Sequence, residues 1–315
     1  MWPLRRIFLC LTLCAFILGG VSVLRYHLSK PKLVPEFLQN VNRFRHSRVC
    51  STKALVLVNS AAKNRLRRQV IRETWGHPKV TRSLEMSVAF GVGFAGDNQS
   101  QRPVDWEAET FGDLFQTSLM DSYDGLTRKM LRLLKLASRS CSPRPLFIVK
   151  VDDDMFVNTY ALMDFLSTVE SQAEDTTIWC LVWQDMPVIR VNHSKWSIPK
   201  EQFRNSTYPT YCSGSAYILS SNVLDVLLQQ HDNRQGGIFP LEDVYITGIL
   251  AQEAQLTHAQ LGNRYAFESI NHRDVASGKT IFAHLGQNAD ELSEQLWHSL
   301  MEARATTRHS SAVGL

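Results

Sequence analysis

Short apolar runs alternate with stretches of helical period along most of this chain, and that alternation restricts its fold more than any other feature. Residues 54–58 (ALVLV) are wholly apolar, as a strand covered on both faces must be. Runs at 86–94, 146–151, 178–183, 215–219 and 279–284 read the same way. Between them, helical patterns fall at about 61–75, 126–138, 159–171, 221–230, 242–253 and 289–303, with Asn59 and Ser60 placed to cap the first. Strands alternating with helices predict an α/β fold, a mostly parallel twisted sheet flanked by helices. Such sheets bind ligands beyond the carboxyl ends of their strands, so motifs that follow strands matter most. Of the 315 residues, 44% are hydrophobic and 20% charged, which excludes an intrinsically disordered chain. No internal repeat is present, which excludes a solenoid.

The net charge of +4 is unevenly spread. Residues 1–48 carry eight basic residues and one acid, Glu36, and the remainder is net acidic. A nucleic-acid binder needs its basic surplus on the folded domain, so that class is excluded. Residues 7–24 contain no charge and follow Arg5 and Arg6. Eighteen helical residues reach about 27 Å. The run exceeds the apolar region of a cleaved signal peptide, so an uncleaved signal-anchor is expected. The expected organisation is a cytosolic tail at 1–6, a transmembrane segment at 7–24, a stem at 25–49, a lumenal domain at 50–304 and a tail at 305–315. Asn98, Asn192 and Asn205 each begin an N-glycosylation triplet. Four cysteines lie outside the apolar run, Cys50, Cys141, Cys180 and Cys212. Their even count fits two disulfides in an oxidising lumen, with three connectivities open.

Five constellations could carry chemistry. Asp152, Asp153 and Asp154 directly follow an apolar strand. Adjacent carboxylates repel unless a cation or donors neutralise them, and hard oxygen ligands suit Mg²⁺ or Mn²⁺ shared with phosphates. An acidic turn open to solvent is the plain alternative. Glu242 and Asp243 follow Pro240 at a helix start, where the helix dipole favours an ionised general base. The stretch Lys63–Arg72 is strongly basic; Arg68 and Arg72 read as a cationic wall near a diphosphate or as a solvated face. Tyr208–Tyr217 joins aromatic and small residues before a strand, suited to sugar rings and close backbone approach. His284 ends the last strand and is a possible metal ligand.

Read together, Arg68–Trp75 (RQVIRETW), Asp121–Lys129 (DSYDGLTRK), Phe147–Val157 (FIVKVDDDMFV), Arg190 with Lys195 and Trp196, Tyr208–Ser220 (YPTYCSGSAYILS) and Glu242–Gly248 (EDVYITG) resemble the β-1,3-glycosyltransferase family of galactosyl- and N-acetylglucosaminyltransferases. The resemblance spans residues 50–300. It implies a GT-A-like fold, a UDP-sugar donor such as UDP-galactose, Mn²⁺ or Mg²⁺, and inversion at the anomeric carbon. It further implies a glycoprotein or glycolipid acceptor and a single-pass type II Golgi membrane protein with its catalytic domain in the lumen. In this reading Asp152 holds the ribose, and Asp153, Lys129, Arg68 and Arg72 lie beside the donor. Asp154 and His284 take the metal and Asp243 is the base. Lys195, Trp196, Tyr211, Gly214 and Glu242 face the substrate. Ala216 stands where many members have glycine and Met130 where threonine is common, so an extra methyl at 216 is expected near the donor sugar. The favoured activity is a β-1,3-hexosyltransferase moving galactose. The alternatives are N-acetylglucosaminyl or N-acetylgalactosaminyl transfer, or a sugar-binding module without turnover. A phosphotransferase of the D-x-D type fits less well because Phe156 stands at the next alternate position.

Overall fold

The computed structural model describes residues 50–313 except 52, 174, 175 and 192. The apolar segment 7–24, the stem and the sequon at Asn192 lie outside the described residues. Among the described residues no helix is long and apolar enough to cross a membrane.

The chain runs β1 (Ala54–Asn59), α1 (Arg65–Glu73), α2 (Pro78–Ser83), β2 (Met86–Phe94), α3 (Asn98–Phe111), β3 (Leu114–Met120) and α4 (Leu126–Ser140). Then follow β4 (Phe147–Asp152), β5 (Met155–Val157), α5 (Thr159–Thr168), β6 (Thr177–Trp183), β7 (Tyr211–Ser220) and α6 (Ser221–Asn233). A π-helical segment, Val244–Leu250, continues into α7 (Ala251–Glu253). After it come β8 (Thr257–Gln260), β9 (Tyr265–Ala266), α8 (His272–Ala276), β10 (Phe282–His284) and α9 (Ala289–Val313).

Seven strands form the central sheet in the order β3-β2-β1-β4-β7-β6-β8. All pairings are parallel except those of β7, which runs antiparallel to both β4 and β6. The mostly parallel sheet expected from the apolar runs is therefore present, with one reversed strand. Strand periodicity explains the layers. Ala54, Val56 and Val58 of β1 enter a core with Trp75, Leu162 and Leu296, on the face that carries α1, α5 and α9. Leu55 and Leu57 enter the opposite core with Leu133, Leu224 and Tyr245, under α4, α6 and the π-helical segment. A small sheet, β5-β10-β9, stands beside the first core.

Several features differ from the sequence reading. The first helix begins at Arg65, because Ser60 is turned to other partners and gives no cap. The expected helix over 242–253 is π-helical at its centre, and His258 Nε2 lies 2.6 Å from the Thr247 carbonyl oxygen within it. The last helix extends to Val313, past the expected end at 303. Ala216 is fully buried, with its methyl packed in the first core. The open question of disulfide pairing resolves to Cys50–Cys141 and Cys180–Cys212.

Candidate active site

The acidic triplet sits where a parallel sheet opens. Asn59 ends β1 in register with Asp152, which ends β4. The three carboxylates of the triplet then diverge. Asp152 accepts from Asn59 Nδ2 at 3.0 Å and from Lys150 Nζ at 2.8 Å. Burial lifts its carboxyl above the usual range, and Lys150 opposes that. Asp153 is buried and accepts from Ser60 Oγ at 2.6 Å, Asn64 Nδ2 at 2.9 Å and Arg67 Nη1 at 3.1 Å. It braces the turn between β1 and α1, so its carboxylate has little left to offer a ligand.

Asp154 differs again. Its Oδ1 is buried without a hydrogen-bond partner, while Oδ2 lies 3.6 Å from His284 Nε2. The antiparallel pairing of β5 with β10 sets Met155 opposite His284, and the Leu285 N–H donates to the Asp154 carbonyl at 2.9 Å. The ring of Phe267 stacks on His284 at 5.1 Å and holds it. Burial works against ionisation of Asp154, but His284 beside it, and Arg67, hold its carboxyl below the ordinary range. A buried anionic oxygen without a donor suits a cation, and these two side chains are hard-metal ligands. No group of three or more His, Cys, Asp or Glu gathers for a metal among the described residues. Two protein ligands still fit a Mg²⁺- or Mn²⁺-type ion that takes the rest of its shell from phosphate and water.

Glu242 and Asp243, adjacent in sequence, take opposite directions. Glu242 is buried, accepts from Tyr217 Oη at 2.8 Å and lies 3.7 Å from Lys150 Nζ. Burial pushes its carboxyl up to about 7, against the pull of Lys150. Asp243 is half-buried at the head of the π-helical segment, where its Oδ1 accepts from the Val244 N–H at 2.8 Å. Burial raises its carboxyl too, while the Val244 N–H and Lys150 restrain the rise. Its Oδ2 faces Gly214, where a side-chain Cβ would stand 3.2 Å away. Gly214 is therefore a wall of the site that only glycine leaves open. Tyr211 packs against the same helix, its Cβ 3.1 Å from where a Cβ on Gly248 would stand. Burial and then Asp243 raise the pKa of its phenol.

Two exposed loops meet on this side. Lys195 Nζ lies 4.5 Å from the Trp196 ring centroid and 5.8 Å from that of Tyr123. Both rings remain about half exposed. The phenol of Tyr123 is raised by burial first and then by the Asp243 charge, which brings this cluster into the field of that carboxylate.

The cationic wall expected of Arg68 and Arg72 is not there. Arg68 is fully buried and donates to Glu107 at 2.8 and 2.7 Å, with further bonds to Ser60 and the carbonyls of Ala61 and Ala62. Arg72 grips Asp113 at 2.7 and 2.8 Å, and its guanidinium lies 4.6 and 4.1 Å from the rings of Phe90 and Phe111. Both bind α1 to α3 and its flank. Lys129 is likewise buried, donating to Asp121 and the Ser60 carbonyl at 2.7 Å each. Arg67, one position away from Arg68 on the helix, is the guanidinium turned to the triplet. Asn98 and Asn205 are exposed, as glycan acceptors must be.

Sequence reasoning gave no individual site role to Arg67, Asn59, Tyr217 or, above all, Lys150. The last had a signal, a single charge inside the apolar strand FIVKV.

A family model described as Galactosyltransferase matches residues 66–262. A lactosylceramide 1,3-N-acetyl-beta-D-glucosaminyltransferase of Xenopus tropicalis is 29% identical over 76% of this chain and 63% of its own length. Human beta-1,3-galactosyltransferase 5 is 28% identical over 68% of this chain and 67% of its own. The beta-1,3-galactosyltransferase bre-2 of Caenorhabditis elegans is 30% identical over 75% of this chain and 64% of its own. The chain thus spans under two thirds of the Xenopus relative's length. A solved glycosyltransferase involved in glycosylation of the major capsid of PBCV-1 overlays with a TM-score of 0.39 at 9% identity, over 77% of this chain and 99% of that one. That overlay is too loose to inform the site. The match over residues 66–262 encloses the triplet, Gly214 and Asp243, and the chain belongs to the Galactosyltransferase family.

Proposed function

We propose that this chain is an inverting β-1,3-hexosyltransferase with a GT-A-like fold that moves galactose from UDP-galactose to the 3-hydroxyl of a glycoprotein or glycolipid glycan. The observation that carries the reading is the convergence of three differently prepared carboxylates. Asp152 is hydrogen-bonded at a strand end, Asp154 keeps an unpartnered buried oxygen beside His284, and Asp243 heads a helix against Gly214. Relatives named for both galactosyl and N-acetylglucosaminyl transfer support the β-1,3 linkage.

Each carboxylate then has one task. Asp152 accepts the ribose hydroxyls of the donor. Asp154 and His284 would hold a divalent cation, Mn²⁺ or Mg²⁺, which would stabilise the negative charge of the departing diphosphate. Arg67 adds positive charge on the same side. Asp243 takes the proton of the acceptor hydroxyl as the new C1–O3 bond forms and the bond from C1 to the diphosphate oxygen breaks. UDP leaves without needing a proton, so one base suffices, unlike the carboxylate pair of a hydrolase. A single displacement inverts the anomeric centre. Tyr123, Lys195 and Trp196 border the acceptor side. In this reading the chain is a type II Golgi membrane protein anchored by residues 7–24.

A radiolabelled donor panel tests it. UDP-Gal, UDP-GlcNAc and UDP-GalNAc are offered with Gal-, GlcNAc- and GalNAc-terminated acceptors, with Mn²⁺ and with chelator. Metal-dependent β-1,3 transfer of galactose is expected. Transfer of another sugar moves the donor assignment, and no transfer from any donor overturns the reading.

A further inference from the structure

Lys150 is the one charged residue of β4 before Asp152 at its end, and it is only 1% exposed. On the pleated strand it shares a face with Asp152 two residues on, and across the sheet it is paired with Tyr217 of β7. Its ammonium has three partners. It donates to Asp152 Oδ1 at 2.8 Å and to the carbonyl of Gly214, and it lies 3.7 Å from Glu242 Oε2. The Tyr217 hydroxyl holds the other oxygen of Glu242 at 2.8 Å. These partners belong to separate parts of the site. Asp152 is on the donor side, Gly214 walls the carboxylate of Asp243, and Glu242 precedes Asp243 in the chain. A buried ammonium is desolvated at high cost, and here both of its hydrogen bonds and its close ion pair are made to the site.

We propose that Lys150 is a positioning residue that fixes the donor-side carboxylate and the base helix relative to one another, with Glu242 and Tyr217 as its acceptor-side arm. The proposal rests on the functional reading above, because it assigns Asp152 to the donor and Asp243 to the acceptor. An ammonium can serve both ends because its three N–H groups diverge, whereas an apolar residue of similar length fills the space and holds neither. Removing Lys150 alone strands buried carboxylates and endangers the fold. The informative variant is therefore Lys150→Met with Glu242→Gln, which removes one positive and one negative charge together. Tyr217→Phe, nearly isosteric, releases only the Glu242 arm.

The experiment measures melting temperature, UDP affinity by calorimetry with Mn²⁺, and transfer kinetics for the full chain and both variants. The double variant should melt within about 3 °C of the wild type. It should bind UDP about tenfold more weakly and turn over about thirtyfold more slowly, the loss expected for hydrogen bonds to charged groups. Tyr217→Phe should keep UDP affinity and lose about fivefold in kcat, with acceptor KM changed less than threefold. A merely structural Lys150 would make activity follow melting temperature. A double variant that melts normally and keeps kcat and UDP affinity within threefold of wild type therefore overturns the inference. So does a Tyr217→Phe enzyme with unchanged kcat, which also decides the matter if the double variant does not fold. If the wild type transfers from no donor, the functional reading fails. The UDP titration then decides the hub by itself, since undiminished affinity in the double variant removes its donor-side arm.

Discussion

Residues 242 and 243 are both acids, and only their surroundings tell them apart. Asp243 is half-buried beside Gly214, with one oxygen used by the Val244 N–H. Glu242 is buried among Tyr217 and Lys150. Asp243→Asn should therefore lower kcat by about 10²–10⁴, the worth of a positioned base, and leave UDP affinity intact. Glu242→Gln keeps the bond from Tyr217 and should lose less than about tenfold. Equal or reversed losses in steady-state kinetics would exchange the two roles. Glu242 also makes a prediction about pH. Its carboxyl is raised from 4.5 to about 7 in the fold. A raised acid binds more protons folded than unfolded between those values, so its stabilisation is present below about pH 4.5 and lost as pH climbs to 7. The melting temperature of Glu242→Gln minus that of wild type should then rise across this window; a flat or falling difference by calorimetry would be against it. None of this was legible in the adjacent letters E and D, because a one-residue step turns a side chain by about 100° on a helix.

The basic helix α1 shows how an element decides which of its residues can meet a ligand. Arg68 and Arg72 are one turn apart on one face and meet Glu107 and Asp113. Arg67 lies on the next face and meets Asp153. The sequence showed the charge but not the face, because the partner helix α3 was itself not legible. Its residues NQSQRPVDWEAETF contain few apolar positions and a proline, so no helical period emerges. The edge strand β3 was missed for a related reason, its polar alternate residues, and β5 and β9 are too short to signal anything. The strands buried on both faces, β1, β2 and β4, were plain from their unbroken apolar runs. The α1 geometry predicts a clean separation of effects. Arg68→Ala leaves Glu107 buried and short of a partner and should cost about 3–5 kcal/mol of stability. Arg67→Ala should change stability by no more than about 1 kcal/mol and should weaken UDP binding instead. Chemical denaturation and calorimetric titration of both variants check this; weaker UDP binding in a stable Arg68→Ala protein would restore the wall first read from the sequence.

Across the whole molecule, two cores on opposite faces of one sheet leave the strand ends free to carry the site, and two disulfides lock different parts of that arrangement. Four cysteines allowed three pairings, and pairing depends on which strands become neighbours, which a linear pattern does not encode. Cys50–Cys141 joins the segment before β1 to the end of α4, across a separation of 91 residues. Cys180–Cys212 crosses from β6 to β7, with a separation of 32. On chain entropy alone these loops contribute about 4.6 and about 3.7 kcal/mol, so stability distinguishes them poorly. Their surroundings distinguish them well. Cys141 caps the C-terminal end of the 15-residue helix α4, whose other end follows Tyr123. The N–H of Cys212 donates to Thr247 Oγ1 at 2.9 Å, and that hydroxyl donates to the Asp243 carbonyl at 2.7 Å. The second disulfide is thus two hydrogen bonds from Asp243. Replacing Cys50 and Cys141 by alanine should lower the melting temperature by about 10 °C or more while kcat at 20 °C stays within twofold of wild type. Replacing Cys180 and Cys212 should lower the melting temperature comparably and also cut kcat about tenfold or more, since small displacements of a catalytic group are costly. The comparison is made well below both transitions, so unfolded protein does not contribute. Equal kcat in the two variants would mean that the chain from Cys212 through Thr247 does not hold the base, and that the helix is positioned by its packing on Tyr211 and Gly214 alone.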